Sequence, residues 1–245
     1  MKTLNIITNQ ESRMMKIFCS LFLIVFFSLN TYATWSIIAV DRKTGEIGIV
    51  GASCTFDVSG IASIVPGKGA IVVQAASSYF ARMKGVSLME KNMTPEQILT
   101  AMRSDEFDPE NQQYGLVVLE ENTVPLVYSG NIIADWNGEK IGDDFAVLGN
   151  ILVGEKVVAK AYEAFNSNRD KSLAERLMLA LKAGEEVGGD KRCGTQFARS
   201  AFISIYKPEK GAILKLAIQG IEDGGNPAVT LLNQQFEYWR QKEEN

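Results

Sequence analysis

Thr34-Trp35-Ser36-Ile37-Ile38-Ala39-Val40-Asp41 and Glu46-Ile47-Gly48-Ile49-Val50-Gly51-Ala52-Ser53 are two eight-residue runs rich in β-branched and apolar side chains, joined by Arg42-Lys43-Thr44-Gly45. Two such runs around a short polar turn ending in glycine read as a β-hairpin. A third run, residues 69–76, suits a buried strand by its length and branched content. Helical spacing follows over 78–92, and Thr94-Pro95-Glu96 opens another helix with an N-cap threonine and proline at the first helical position. The second half repeats this order. Strands are expected at 114–120, 123–128 and 144–148, then helices at 153–166 and 173–187, the latter opened by a Ser172 and Glu175 capping box. Strands at 198–206 and 212–219 are joined by a turn at 208–211, and a last helix runs from Asn226, as N-cap before Pro227, to about 242. Strands in blocks with helix pairs between them predict an α+β fold, a four-layer αββα sandwich of two stacked antiparallel sheets covered by helices.

Upstream of the hairpin, Arg13 and Lys16 precede an apolar run at 17–29, and Thr31 and Ala33 place small residues at the −3 and −1 positions of a cleavage site. This is the pattern of a cleavable signal peptide, residues 1–33, leaving residues 34–245 as one domain. The run is short for a bilayer span, which needs about 20 apolar residues, so a permanent anchor is the weaker reading. The expected destination is periplasmic or extracellular.

Removing the leader takes away Lys2, Arg13, Lys16 and Glu11 and moves the net charge from −4 to about −6, without a basic run. That balance argues against nucleic-acid binding. Cys54 and Cys193 remain, 139 positions apart. In an oxidising compartment they form either one disulfide, worth up to roughly 4 kcal/mol in the chain-entropy model, or two buried thiols. Two thiols and no histidine leave little to bind a metal, and no cofactor is expected.

The absence of histidine also excludes Ser-His-Asp and Cys-His sites. Cleavage after Ala33 would supply an alternative, because an N-terminal threonine carries a hydroxyl nucleophile and an amine base of pKa near 8 in one residue. Thr34 is therefore the candidate nucleophile; the competing reading is a β-branched residue that merely starts a strand. Asn150, at a strand end, is placed to donate to a developing oxyanion or to form a turn. Asp190 and Arg192, in the glycine-rich loop 188–196, suit orientation of the amine or of a substrate carboxylate, or form a surface ion pair. Ser53, Gln74 and Gln196 are candidate substrate-binding residues that hydrogen-bond near the terminus, against buried polar groups that satisfy the backbone instead.

The hairpin sequence, Gly69-Ala70-Ile71-Val72-Val73-Gln74-Ala75, Leu148-Gly149-Asn150-Ile151-Leu152-Val153-Gly154 and Gly188-Gly189-Asp190-Lys191-Arg192 together resemble a bacterial family of unknown function placed in the superfamily of N-terminal-nucleophile (Ntn) hydrolases. The resemblance covers nearly all of 34–245. It implies the αββα fold and hydrolysis of an amide bond with an N-terminal nucleophile, and supplies no substrate; export and the threonine nucleophile alone suggest an amidase, acylase or peptidase acting on a small or peptidic amide. By likeness to threonine proteases of that superfamily, Lys68 is a further candidate for tuning the nucleophile, against a solvated loop charge. A ligand-binding module without catalysis on the same fold is the alternative function. Neither reading implies a membrane anchor after signal removal, and self-association is left open.

Overall fold

The computed structural model of the chain describes residues 33–133 and 135–243. Residues 1–32 of the expected signal segment lie outside the described residues, and its last residue, Ala33, lies within them. In chain order the elements are β1 (Thr34–Asp41), β2 (Glu46–Ser53), β3 (Ala62–Val65), β4 (Gly69–Ala75), α1 (Tyr79–Glu90), α2 (Pro95–Met102), β5 (Gln112–Val118), β6 (Leu126–Ser129), β7 (Asn137–Ile141), β8 (Phe145–Asn150), α3 (Lys156–Ser167), α4 (Leu173–Glu185), β9 (Ser200–Lys207), β10 (Ala212–Ile218) and α5 (Ala228–Glu243). The helix starts follow their caps: Thr94 with Gln97, and Ser172 with Glu175, close reciprocal capping boxes at α2 and α4.

The strands form two antiparallel sheets, ordered β10-β9-β2-β1-β8-β7 and β3-β4-β5-β6. Helices α3, α4 and α5 pack on the six-stranded sheet and α1 and α2 on the four-stranded one. The sheets face each other through β1, β2 and β8 on one side and β4 and β5 on the other. Strand β1 shows how one sequence serves two layers. Trp35, Ile37 and Ala39 enter the core under α3 and α4, whereas Ile38 and Val40 enter the core between the sheets. Thr34 and Ser36 share the parity of Ile38, so their side chains belong to the layer between the sheets.

Strands β3 and β7 were not expected from sequence. The four residues of β3 are too few to show a period, and Asn-Gly-Glu-Lys-Ile of β7 is polar because it forms an edge. Both complete the sheets beside strands that the apolar pattern predicts.

One carboxyl in this frame carries a stability signature. Glu185 ends α4, accepts from Thr230 Oγ1 at 3.3 Å, and leaves its buried Oε1 without a partner. Burial pushes its pKa up to about 7. Because the folded value lies above the unfolded one, its contribution is present below about pH 4.5 and is lost as pH rises through about 7. Glu185→Gln is expected to flatten that decline and to raise stability at pH 8 by about 1–2 kcal/mol. Urea midpoints at pH 5 and pH 8 check this; an equal loss at both pH values would refute it.

Candidate active site

Pairing registers gather polar residues into one row at an end of the six-stranded sheet. Thr34 pairs with Ser53 on one side and Asn150 on the other; Ser53 pairs with Ser200, and Asn150 with Asn137. Directly paired residues project to the same face, so Ser200, Ser53, Thr34, Asn150 and Asn137 line one row facing the second sheet. Thr34, Ser53, Asn150 and Ser200 are fully buried. Burying polar side chains in sequence-distant strands at one level costs free energy unless each finds a partner.

Most do. Ser53 Oγ donates to the Ala33 carbonyl at 2.5 Å, and Arg192 Nη2 donates to the same oxygen at 3.1 Å. Arg192 in turn binds Asp190 through Nη2 at 2.8 Å and Nε at 3.1 Å. The fully buried Asp190 also accepts from the backbone N–H groups of Arg192, at 2.9 Å, and Cys54, at 2.6 Å. Asp190 thus ties its own loop to the end of β2, and Arg192 is aimed at the peptide bond between Ala33 and Thr34. The exception is Asn150, whose buried Nδ2 and Oδ1 both have no hydrogen-bond partner. A buried carboxamide beside Thr34 thus leaves a donor and an acceptor without a protein partner. Replacing it with an apolar group of similar shape removes that cost. Asn150→Leu is expected to raise stability by about 1 kcal/mol in urea denaturation, whereas a structural hydrogen bond at this position predicts a loss.

The glycine-rich loop is shaped by what lies under it. A Cβ on Gly189, at φ +51°, would come 2.9 Å from the Phe197 carbonyl and 3.0 Å from the Trp35 ring. Only glycine lets the loop lie this close to β1 and bring Asp190 to Ser53. Cys54 and Cys193 are bonded, fastening the residue after Ser53 to the residue after Arg192.

Backbone strain gathers at the same end. Among the described residues, four of the non-glycine residues with positive φ are Asn or Asp, which tolerate it; the others are Ala75, Ser77, Ile151 and Phe197. Ile151 follows Asn150, the Phe197 carbonyl accepts from the Asp190 N–H, and Ala75 follows Gln74, whose Nε2 lies 3.5 Å from the Thr34 carbonyl. Such outliers persist where surrounding structure over-determines them and cluster at functional sites.

Between the sheets a hydrogen-bond chain leads away from this end. Ser36 Oγ donates to Gln74 Oε1, Gln74 Nε2 to Gln113 Oε1, Gln113 Nε2 to Ser129 Oγ, and Ser129 Oγ to Glu139 Oε2, at 2.7 to 2.9 Å. Gln74 therefore supports β1 rather than lining an open cleft. Gln196 also sits in a supporting role, with Nε2 donating to the Glu222 carbonyl at 2.8 Å and Oε1 accepting from the Gly224 N–H at 3.2 Å. Lys68 is not brought to Thr34 at all. It lies at the opposite end of β4, where Nζ donates to the Glu90 carbonyl and to Asn92 Oδ1 and so caps the C-terminus of α1. The sequence reading missed the Ala33 carbonyl, Asn137 and Ser200, which no local pattern marks and only strand register assembles. Among the described residues no group of three or more Cys, Asp or Glu could hold a metal ion, and no helix is long and apolar enough to cross a membrane.

The fold is thus an α+β sandwich of two antiparallel sheets with a buried polar site at one end of the larger sheet. The chain belongs to the family of unknown function DUF1028, whose profile matches residues 34–227. The crystal structure of protein SPO2555 from Silicibacter pomeroyi, a protein of the same family, is similar to it with a TM-score of 0.70. The two share 24% identity over 84% of this chain and 88% of that one, a likeness of fold. No curated protein matches the chain.

Proposed function

We propose that this protein is an exported Ntn-type hydrolase that cleaves an amide bond with Thr34 as nucleophile, once Ala33 has been removed. The observation that carries this reading is the buried, unpartnered Asn150 carboxamide paired across from Thr34. The start of the family match at Thr34 agrees with it, as does the Cys54–Cys193 disulfide, a bond of oxidising compartments.

Thr34 is fully buried, and the Ala33 carbonyl occupies the donors of Ser53 and Arg192. Removing residue 33 would expose the Thr34 amine and take away the carbonyl that Ser53 Oγ and Arg192 Nη2 share. The Arg192 cation beside the new amine favours its neutral form, and Asp190 balances the guanidinium. The neutral amine then takes the Thr34 hydroxyl proton as Oγ bonds to the substrate carbonyl carbon. Asn150 Nδ2 donates to the oxygen that becomes negative. The protonated amine passes its proton to the leaving nitrogen as the C–N bond breaks, and water releases the acyl group from Oγ by the same steps in reverse.

Mass spectrometry of the exported protein tests the N-terminus, and protein beginning at Thr34 should turn over members of a panel of small and peptidic amides. A mature chain starting elsewhere, or no turnover with a free Thr34 amine, would defeat the proposal; the second result would leave a binding module on this fold.

A further inference from the structure

The six-stranded sheet is two strands wider than the one it faces, and β3 at the edge of the smaller sheet is only four residues long. The inner faces of β9 and β10 are therefore incompletely covered. A cavity of about 290 Å³ opens there, lined by Phe202, Ser204, Ile213 and Lys215 from the larger sheet, Ser63 from β3 and Arg82 from α1. It also reaches Ile49, four residues up β2 from Ser53, or about 13 Å at strand rise. The Phe202 ring stands between the two regions. It lies under Gly51, where a Cβ would come 2.8 Å from Phe202 and 3.5 Å from Ser36. The cavity is thus separate from the Thr34 row.

Its charge is unusual for this chain. Acidic residues outnumber basic ones 29 to 25, yet neither Arg82 nor Lys215 has a carboxylate within 4 Å among the described residues. Arg82 is held in place without being neutralised. Its Nη1 donates to the Ala62 carbonyl at 3.1 Å and to Ser63 Oγ at 2.5 Å, and the guanidinium lies 5.4 Å from the Tyr79 ring centroid. Partial burial lowers its pKa through desolvation, the cost of keeping an unpaired cation there. A fixed guanidinium with Nε and Nη2 unused, a lysine across from it and two serine hydroxyls form a receptor for a planar anion. The remaining wall is hydrocarbon from Phe202 and Ile213, and the volume falls at the small end of ligand pockets.

We propose that this cavity binds a carboxylate carrying a short apolar tail, with Arg82 and Lys215 on the carboxylate and Phe202 and Ile213 against the tail. Octanoate titrated calorimetrically into the protein is the probe, with octylammonium, octanol and inorganic phosphate beside it. Octanoate is expected to bind saturably and octylammonium not to bind. Arg82→Gln and Lys215→Glu should each weaken octanoate by at least ~10-fold, the loss of one charge-assisted contact. Because Arg82 also holds β3, the exposed Lys215 variant carries the test if Arg82→Gln disturbs the fold. Thr34→Val should bind octanoate as the unsubstituted protein does, which separates this site from the proposed catalytic one. No octanoate binding, octylammonium or octanol binding as tightly, or both charge variants binding octanoate unchanged would overturn the proposal. Phosphate binding as tightly as octanoate would overturn the role of the apolar wall.

Discussion

Thr34→Val is expected to lower amide turnover by at least ~10³-fold in protein whose amine at residue 34 is free, without loss of the fold. Valine keeps the shape and β-branching of threonine, so the pairing of β1 with β2 and β8 is preserved while the attacking oxygen is gone. Two companions sharpen the reading. Thr34→Ser retains a hydroxyl and should keep measurable turnover, reduced because serine lacks the methyl that restricts χ1. A chain that retains Ala33 should be inactive although its threonine is unchanged, since its nitrogen is then an amide and the Ala33 carbonyl occupies Ser53 and Arg192. Turnover by Thr34→Val at the rate of the unsubstituted protein would move the nucleophile elsewhere.

Asp190→Ala is expected to cost about 3 kcal/mol of stability, at the lower end of values for breaking a buried ion pair because Arg192 is partly exposed. The carboxylate accepts two backbone N–H groups and two guanidinium donors, so alanine strands the Cys54 N–H at the same time as it takes this carboxylate away from Arg192. Asp190→Asn keeps an acceptor oxygen and should cost less than half as much. The disulfide still fastens Cys193 to Cys54 in both variants, so the loop stays near β2 and the loss reads on the hydrogen bonds. Urea denaturation with the disulfide intact measures it. A loss below about 0.5 kcal/mol for alanine would mean that the pair behaves as an exposed one.

How far the sequence could be read depended on whether information was local. The hairpin, the Thr94 N-cap, the Ser172 and Glu175 capping box and the buried strands came through because turn chemistry, caps and apolar runs act over a few residues. Strands β3 and β7 did not, one too short and one too polar for a periodic signal. Among site candidates, Thr34, Ser53, Asn150, Asp190 and Arg192 are brought together, while Lys68 caps a helix at the far end of its strand. Glu185 drew no notice, since a carboxylate at the end of an amphipathic helix looks solvated until α5 is packed across it.

The sequence by itself determined the chemistry on offer: no histidine, a threonine at the head of a hairpin, Cys54 and Cys193 far apart in the chain, and a glycine pair before Asp190. Only the tertiary structure decided which of these meet. Strand register set Asn150 and Ser53 on either side of Thr34, and sheet stacking put Gln74 under its carbonyl. The unequal widths of the two sheets opened the Arg82 cavity. The reason is physical. Helix and turn signals are satisfied within a few residues, whereas pairing and stacking energies belong to residues far apart in the chain and leave no mark until both partners are in place.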